Sequence, residues 1–328
     1  MELEYVSHLR GEKHRQWHAL LRETGLTPGA APEITALLWE GETLAATASR
    51  QGNVLKYIAV SPKFQGMDLT ARVLTALRQE AFDRGIEHLF LYTKPHNEAM
   101  FTPLFFYPVA QTADVLLMEN IRGGVERFLQ SLEVPRRQGI VGAAVMHCDP
   151  FTLGHRCLIE TAARECDWLY VLVLSEDRGR FLAEDRLQLV REGTEDLPNV
   201  TVLPSGPYLI SSATFPDYFL KDRDRCQEVH CQLDVQIFTR YYAPHLGITR
   251  RYVGSEPLSA LTAQYNEVLK RFLPPWGIQV REIPRLERNG VPVSASAVRE
   301  ALDRGGKEQI GDLVPGTTLE YLQKRGLI

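Results

Sequence analysis

The segment DPFTLGH, residues 149–155, has the residue types needed to hold a phosphate group. It follows an apolar run predicted to be a strand and opens a run predicted to be a helix. Gly154 has no Cβ, so a phosphate can approach the backbone there. The free N–H groups of the first helical turn attract anions. Thr152 adds a hydroxyl and His155 an imidazole, and fixed donors of this kind are the main catalytic device in phosphoryl substitution.

The same region is rich in histidine and cysteine, which raises the alternative of a metal or thiol site. His147 and Cys148 are adjacent and would point to opposite sides of a continuing strand. Cys157 and Cys166 fall on the following helix and at its end, and the sequence has no CxxC pair. We therefore predict no metal site and expect the cysteines to pack as small apolar side chains. A further cluster, whose role stays open, comprises Cys226, His230 and Cys231.

A second polar segment, VSASAVR, residues 293–299, lies near the end of the sequence and before another predicted helix. Serines at a helix start usually act as caps. Ser294 and Ser296, with Arg299 one turn further on, also offer hydroxyls, open N–H groups and a guanidinium that together can clamp a triphosphate. From this segment alone, both interpretations stay open.

The second half of the chain alternates apolar strands with helices, which predicts right-handed βαβ crossovers and a parallel sheet. The strands are continuous apolar runs, as expected when both faces of a sheet are covered. We predict strands at 139–146, 167–174, 199–204, 250–254 and 278–283. We predict helices at 153–166, 183–195, 224–240, 260–272 and 295–306. Ligands of such sheets bind beyond the carboxyl ends of the strands, where DPFTLGH lies.

The first third of the chain is predicted to be a smaller α/β domain. Three strands form an antiparallel meander at 34–40, 44–50 and 54–60. Helical segments are expected at 8–23, 70–85 and 97–106, with further strands at 87–93 and 113–118. The helix after the meander has a stripe formed by Val73, Leu74, Leu77 and Ala81. A helical connector at 121–139 has Gly and Pro at its ends, so we predict domains at 1–125 and 126–328.

The totals of the chain exclude several classes of protein. Its 328 residues exceed the usual size of one domain, and the formal charge of −4 argues against broad electrostatic capture of nucleic acid. The N-terminus has no apolar region typical of a signal peptide, and no apolar run approaches the roughly 18 residues that span a bilayer. An odd number of cysteines, five, fits reduced thiols. We expect a cytoplasmic protein without nucleic-acid or membrane partners.

Together, DPFTLGH and VSASAVR resemble the nucleotidyltransferase superfamily, with its [T/H]xGH turn and later [I/V]SxSxxR helix start. The resemblance implies a Rossmann-like parallel sheet in which the turn holds the α-phosphate region of ATP and the later segment holds the β- and γ-phosphates. By this resemblance the catalytic residues are Thr152, His155 and Arg299. The ATP-binding residues are Asp149, Phe151, Gly154, Ser294 and Ser296.

More of the chain resembles one family, the citrate lyase ligases, over most of residues 140–328. The likeness rests on CDPFTLGHRCLIE, CDWLYVLVLSED, SGPYLISSATFPDYFLK, YVGSEPLSALTAQYN and VPVSASAVREAL. It implies an acid–thiol ligase that converts ATP to AMP. Acetate attacks the α-phosphorus to give acetyl-adenylate and pyrophosphate. The acetyl group then passes to the thiol of the phosphoribosyl-dephospho-CoA group on the acyl carrier subunit of citrate lyase, which activates the lyase.

A carboxylate that attacks a triphosphate is repelled by it, so further positive charge is expected at the site. A divalent ion, Mg²⁺, would supply part of it. Arg186 in AEDRLQLV and Lys221 in YFLK are candidate ATP contacts, and each is equally well interpreted as a solvated helix charge. Glu256 is a candidate adenine or ribose contact or a plain loop residue. We expect the acetate pocket in YLISSATF and no catalytic role for His147.

The N-terminal region resembles the acetyltransferase fold of the GNAT type in KYIAVSPKFQGMDLTARVLTAL. Active members have a loop of the form Q/R-x-x-G-x-G/A whose amides hold the pyrophosphate of acetyl-CoA. Here Asp68 replaces the second Gly or Ala, and a carboxylate repels a pyrophosphate. The later F-x-x-L-G-F signature is also altered, with Phe105 at the glycine position. We therefore expect no independent acetyl transfer; docking of a CoA-like arm or of the carrier protein and a purely structural role both stay open.

Two further functions are weighed against the ligase. One is a stand-alone adenylyltransferase of a phosphorylated cofactor precursor, which the YLISSATFPDYFLK block and the extra N-terminal domain disfavour. The other is an adaptor that senses a nucleotide or binds the carrier without catalysis, which the intact TLGH and SASAVR segments disfavour. Exchange of pyrophosphate into ATP with different acids separates the three.

Overall fold

A computed structural model describes residues 1–29, 31–177, 179–209, 223–256 and 259–328. The chain forms two compact units, and both contain helices and strands, as the predicted α/β class requires. The first comprises Met1–Gly124 together with residues 223–233 of the described part. The second comprises the described residues of 125–209 and 234–328.

Seven strands form the sheet of the first unit. They are β1 (Glu2–Val6), β2 (Ile34–Glu40), β3 (Thr43–Gln51), β4 (Val54–Val60), β5 (Phe90–Thr93), β6 (Tyr107–Gln111) and β7 (Leu116–Glu119). Their order is β1-β2-β3-β4-β5-β7-β6. Among the described strand pairs of this sheet, only β4–β5 is parallel. The predicted meander is confirmed, since β2, β3 and β4 pair antiparallel.

Three α-helices accompany this sheet: α1 (Gly11–Glu23), α2 (Leu69–Asp83) and α3 (Glu98–Phe101). Helix α2 packs on the sheet through the predicted stripe of Val73, Leu74, Leu77 and Ala81, all of which are buried. The helix ends just before Gly85, which has φ +75°. This backbone conformation suits glycine and explains why the helical pattern stops there.

Two edge strands of this sheet were not predicted. β1 has the sequence ELEYV and is mostly exposed, so it lacks the apolar alternation that reveals a half-buried strand. β6 contains Pro108, which lowers strand propensity but is tolerated at a sheet edge. The predicted helix at 97–106 is shorter in the structure, where α3 is followed by a 3₁₀ turn at Thr102–Leu104.

The sheet of the second unit has five strands, all parallel. They are β8 (Val141–Met146), β9 (Trp168–Val173), β10 (Val200–Pro204), β11 (Arg250–Gly254) and β12 (Gln279–Ile283). A short antiparallel hairpin, β13 (Glu287–Arg288) with β14 (Val291–Pro292), follows β12. The parallel sheet was predicted from the alternation of strands and helices and is confirmed.

Nine α-helices are described from residue 124 onward. They are α4 (Gly124–Ser131), α5 (Leu153–Arg164), α6 (Ala183–Glu192), α7 (Arg223–Ile237), α8 (Ala243–Leu246), α9 (Ala260–Phe272), α10 (Ala295–Arg304), α11 (Lys307–Ile310) and α12 (Gly316–Lys324). A π-helical turn, Phe238–Tyr242, joins α7 to α8. Among the described residues, no helix combines the length and apolar character needed to cross a bilayer.

The strand order β10-β9-β8-β11-β12 places the site of the second unit. The chain builds outward from β8 in one direction and then returns to the other side of β8 with β11. Loops after β8 and β11 therefore diverge, and ligands of open parallel sheets bind in the crevice at this point. The segment 147–152 follows β8, and the loop that begins at Ser255 follows β11.

Candidate active site

A cavity of about 340 Å³ lies at the carboxyl ends of β8 and β11. Both polar segments singled out in the sequence contribute to it: Thr152 and His155 from the first, and Ser294 from the second. The cavity also contains Arg251 of β11 and Arg285, which follows β12. Two helix starts and two arginines thus surround one cavity, which makes it suited to an anionic ligand.

Thr152 and His155 form the first of these helix starts. Thr152 is the N-cap of α5, and its hydroxyl accepts a hydrogen bond from the His155 backbone N–H at 3.3 Å. In return, the backbone N–H of Thr152 donates to Nδ1 of His155 at 3.1 Å. This reciprocal capping box fixes the imidazole ring against the helix start.

The hydrogen bonds decide which nitrogen of His155 holds the proton. Because Nδ1 accepts from the Thr152 N–H, the neutral ring has its hydrogen on Nε2. Burial, together with the positive charge of Arg285, lowers the pKa of His155 to about 4. At neutral pH the residue is therefore an uncharged donor at Nε2, held in one orientation.

Ser294 forms the second helix start and lies beside the first. It is the N-cap of α10, and its hydroxyl accepts from the Ala297 N–H at 3.1 Å. The residue before it, Val293, passes so close to Gly154 that a β-carbon there would lie 2.7 Å from the Val293 backbone oxygen. Gly154 was predicted to allow a phosphate to approach the backbone. In the structure, its missing side chain allows the segment before α10 to pack against it.

Arg299 joins the two segments directly. Its Nη1 donates to the backbone oxygen of Asp149, and its Nη2 donates to the hydroxyl of Ser296 at 3.1 Å. The arginine side chain is one-third exposed, and Ser296 is exposed. The guanidinium is thus braced by protein on one side and open on the other.

Asp149 has a supporting position in this arrangement. It is buried, and its carboxylate accepts backbone N–H bonds from Arg180 at 3.2 Å and Phe181 at 2.9 Å. One of its carboxylate oxygens also lies 3.5 Å from Arg299. The carboxylate therefore orders the loop before α6 and helps to place the arginine, and an ATP contact by Asp149 stays a prediction.

Phe151, predicted as an ATP contact, has no exposed surface. It belongs to the core cluster between the sheet and its helices, and its ring stacks on that of His155 with centroids 6.0 Å apart. Phe151 therefore supports the His155 ring from the core side, and its contact with ATP stays a prediction. The large apolar side chain of Phe151, among the polar residues of this turn, indicates that it packs in the core.

Arg186, a further predicted ATP contact, is also fully buried. Its three guanidinium nitrogens donate to the backbone oxygens of Phe181, His147 and Glu176, the His147 bond being 2.6 Å. Each guanidinium nitrogen thus braces a segment after β8 or β9. An ATP contact by Arg186 stays a prediction, and such a contact would compete with these bonds.

Glu256 and Arg285 form an ion pair at the cavity. Arg285 also donates to the Ser255 backbone oxygen at 2.8 Å, so it is tied to the loop after β11. Sequence reasoning proposed Glu256 as a candidate and missed Arg285. The signal was available, because Arg285 follows the end of a predicted strand, where site residues of parallel sheets gather.

His147 lies at the cavity, whereas Cys148 lies in the core. His147 lines the cavity with its Nε2 3.7 Å from a Glu176 oxygen, and burial lowers its pKa. Cys148 is buried in the core, and burial raises the pKa of its thiol. Over the described residues, no group of three His, Cys, Asp or Glu side chains could hold a metal. Lys221 and most of YLISSATF lie outside the described residues.

Curated relatives decide the family. A citrate (pro-3S)-lyase ligase of Klebsiella pneumoniae is 42% identical over 310 residues, which cover 93% of this chain and 91% of the relative. The corresponding enzyme of Escherichia coli K12 is 38% identical over 97% of this chain and 92% of its own length. That of Haemophilus influenzae is 35% identical over 88% of each. The chain belongs to the citrate lyase ligase family.

Two family models match separate parts of this chain. The citrate lyase ligase C-terminal domain matches residues 141–322, which include the whole parallel sheet and both polar segments. The acetyltransferase (GNAT) family matches residues 6–102. The protein is thus an enzyme of the ligase class, with a nucleotidyltransferase-like domain preceded by a GNAT-like domain, as predicted.

The GNAT-like unit of this ligase has its own cavity, of about 820 Å³. It lies between the loop before α2 and the segment around α3, and it includes Gly66 and Asp68. Asp68 has φ 52° and Phe105 has φ 62°, both in the left-handed region that favours glycine. The two departures from the GNAT signatures therefore occupy backbone positions shaped for small residues.

Proposed function

We propose that this protein uses ATP to join acetate to the thiol of the phosphoribosyl-dephospho-CoA group on the citrate lyase acyl carrier subunit. AMP and pyrophosphate are released, and the acetylated lyase is active. The observation that supports this proposal most strongly is the meeting of two capped helix starts, at Thr152 and Ser294, on one cavity with a neutral histidine donor. That arrangement suits a polyphosphate whose α-phosphorus undergoes substitution.

In the first step, a carboxylate oxygen of acetate attacks the α-phosphorus of ATP. A new O–P bond forms, the bond from the α-phosphorus to the bridging oxygen breaks, and pyrophosphate leaves. Negative charge builds on the non-bridging oxygens of the α-phosphate. Nε2–H of His155 and the N–H groups at the start of α5 are the donors proposed to stabilise that charge.

The β- and γ-phosphates are proposed to lie at the start of α10. Here the open face of Arg299 and the exposed Ser296 supply a guanidinium and a hydroxyl. Because Arg299 is braced on Asp149, which precedes the α5 turn, the two ends of the triphosphate are held at a fixed separation. In-line attack requires such fixed positioning.

In the second step, the sulfur of the carrier's prosthetic group attacks the carbonyl carbon of acetyl-adenylate. The C–O bond to AMP breaks, AMP leaves with the oxygen that came from acetate, and the thiol proton passes to solvent. Thioester formation thus needs no redox change and no covalent enzyme intermediate.

Mg²⁺ is proposed to enter with ATP as the substrate complex. Within the described part of the chain, no three His, Cys, Asp or Glu side chains are grouped to hold a resident ion. Mg²⁺ commonly binds to substrate phosphates and water with few protein ligands, so the site residues are compatible with Mg·ATP.

Residues 126–328 are proposed to form the adenylating domain and residues 1–125 a docking domain for the CoA-like arm. The 820 Å³ cavity of the N-terminal unit supports the second assignment. Ala71 lines this cavity, so Ala71→Trp should fill it. We expect that variant to slow acetyl transfer to the carrier while acetate-dependent pyrophosphate exchange is unchanged. An unchanged transfer rate would leave the unit a structural role.

Exchange of labelled pyrophosphate into ATP with a panel of carboxylic acids tests the proposal. Exchange that requires acetate supports the ligase. Exchange that requires a phosphorylated cofactor precursor would instead indicate an adenylyltransferase, and nucleotide binding without exchange would indicate an adaptor. His155→Ala should abolish exchange while the circular-dichroism spectrum is retained, and Cys148→Ser and Cys157→Ser should exchange normally.

A further inference from the structure

Arg251 is a buried arginine that the steps above do not use. It lies on β11, is 3% exposed, and lines the cavity that also contains His155 and Thr152. Within the described part of the chain, its Nε and Nη1 have no hydrogen-bond partner. Buried donors are nearly always paired, because leaving them unpaired loses their hydration without compensation. The two open N–H groups therefore indicate a ligand.

The described neighbours of Arg251 leave its Nε and Nη1 without a hydrogen bond. Its guanidinium lies over the ring of Phe238, with the central carbon 4.9 Å from the ring centroid. Burial lowers the pKa of Arg251, whereas Tyr265, through its charge and a side-chain hydrogen bond, and the charge of Asp234 oppose that effect. The Asp234 carboxylate accepts the Tyr265 hydroxyl, so it is engaged by another partner. Arg251 thus lines the cavity as a buried guanidinium with two nitrogens unpaired among the described residues.

The position of Arg251 along its strand separates it from the phosphate-binding elements. It pairs with Ala143 of β8 and Val280 of β12, three residues before the end of β11. The helix starts at Thr152 and Ser294 lie beyond the strand ends. Arg251 therefore occupies the inner part of the cavity, whereas the donors suited to a triphosphate lie at its outer part.

The walls near Arg251 are apolar. Val145 and Val253 line the same cavity, and along β11 Val253 is on the same face of the sheet as Arg251 because side chains alternate. A guanidinium fork beside two valines suits a ligand with a planar anionic head and a short apolar tail. A small monocarboxylate has that form.

We propose that Arg251 holds the carboxylate of the acid substrate, with the methyl group of acetate towards Val145 and Val253. This inference rests on the proposed function and assigns a part of the site to it. The guanidinium binds the carboxylate, offsets its repulsion by ATP, and leaves one oxygen lone pair directed at the α-phosphorus beside His155. Arg251 also selects for short acids, because the apolar wall limits the tail.

The test compares Arg251→Gln with Arg250→Gln. Arg250 is the neighbouring arginine, partly buried, and its Nη1 donates to the Glu165 backbone oxygen at 2.7 Å, so it is a matched control on the other face of β11. Binding of ¹³C-acetate is measured by line broadening in the presence of a non-hydrolysable ATP analogue, and binding of that analogue is measured separately by calorimetry. Exchange is measured in parallel as a function of acetate concentration.

We expect Arg251→Gln to weaken acetate binding and raise the acetate KM at least 50-fold, with affinity for the analogue within twofold of the unaltered enzyme. Arg250→Gln should match the unaltered enzyme in both. Normal acetate binding by Arg251→Gln would overturn the proposal, as would a loss of analogue affinity with acetate binding retained, which would assign the arginine to a phosphate.

Two further outcomes keep the inference separate from the proposed function. The unaltered enzyme could bind acetate through Arg251 and yet show no pyrophosphate exchange. That result would support the carboxylate site and contradict the formation of acetyl-adenylate. If Arg251→Gln fails to fold, Arg251→Lys is used, since it retains the charge but lacks the fork. We expect about tenfold weaker acetate binding for that variant, and unchanged binding would overturn the proposal.

Discussion

The backbone oxygen of Val293 packs so closely on Gly154 that a β-carbon at Gly154 would lie 2.7 Å from it. This close approach joins the turn after β8 to the start of α10. The two segments that resemble nucleotidyltransferase signatures therefore pack on each other as well as facing one cavity. Their separation is fixed by backbone, and a small change at Gly154 should be transmitted to both.

Gly154→Ala should force Val293 and the start of α10 away from the α5 turn. The expected result is a loss of about 100-fold in acetate-dependent exchange, because misplacing reacting groups by about 1 Å has effects of that size. Gly311→Ala is the matched control, since no atom lies within 4 Å of a β-carbon there. Exchange by Gly154→Ala equal to that of the control would contradict the packing argument.

The protonation of His155 should affect stability between pH 4 and pH 6.5. Its pKa is lowered from 6.5 to about 4, so in that range the unfolded chain binds a proton that the folded protein does not. The free energy of unfolding should therefore rise with pH from 4 to 6.5 by about 3 kcal/mol on account of this residue, and be level above 6.5.

Urea denaturation of the enzyme and of His155→Gln across this pH range measures that contribution. The variant should show a shallower dependence, whereas His245→Gln, which alters an exposed histidine, should follow the unaltered enzyme. As the pH is lowered through 6.5, the rate of pyrophosphate exchange should not fall because of His155, since its ring stays neutral there. Parallel pH dependences of the His155 variant and the unaltered enzyme would show that its ring titrates normally.

Arg299→Lys tests the connection between the two segments. A lysine ammonium cannot bond both the Asp149 backbone oxygen and the Ser296 hydroxyl in the fork geometry of arginine. We expect the KM for ATP to rise about 10- to 100-fold, the range of one to two charge-assisted hydrogen bonds. Arg304→Lys, on the same helix with an exposed side chain, should have an unchanged KM. A normal KM in both variants would remove Arg299 from the site.

Arg186→Met separates a bracing role from an ATP contact. The substitution leaves the backbone oxygens of Phe181, His147 and Glu176 without their donor, so the free energy of unfolding should fall by about 3 kcal/mol. Arg191→Met, at an exposed position of the same helix, should change it by less than about 0.5 kcal/mol. Loss of ATP affinity with an unchanged free energy of unfolding would indicate that Arg186 contacts ATP, as the sequence predicts.

The arrangement of the second unit was largely predictable, because its central strands β8 and β9 are buried on both faces. The bounds predicted for β11 and α9 agree with the structure, as do those of β2 and β4 in the first unit. Apolar runs bounded by turn residues locate such elements well. The edge strand β1 was missed because solvent exposure removes the apolar pattern on which the prediction depends.

The site was predictable where the chemistry lies in local sequence and not where it depends on burial. Thr152, His155 and Ser294 are helix-start residues, and the structure brings them to one cavity. The packing of Phe151 and Arg186 was not predicted, since only the tertiary structure shows that both are fully buried. Arg251 was overlooked for the same reason: in RRYVG, nothing distinguishes the buried arginine from its neighbour.

The transfer of an isotope from acetate to AMP tests the central claim most directly. The enzyme is incubated with ATP, the acyl carrier subunit and acetate labelled with ¹⁸O in both oxygens, and the products are analysed by mass spectrometry. If acetate attacks the α-phosphorus, one ¹⁸O appears in AMP and none in pyrophosphate, and His155→Ala forms no labelled AMP. Label in phosphate or pyrophosphate, or acetylated carrier with unlabelled AMP, would contradict acetyl-adenylate formation.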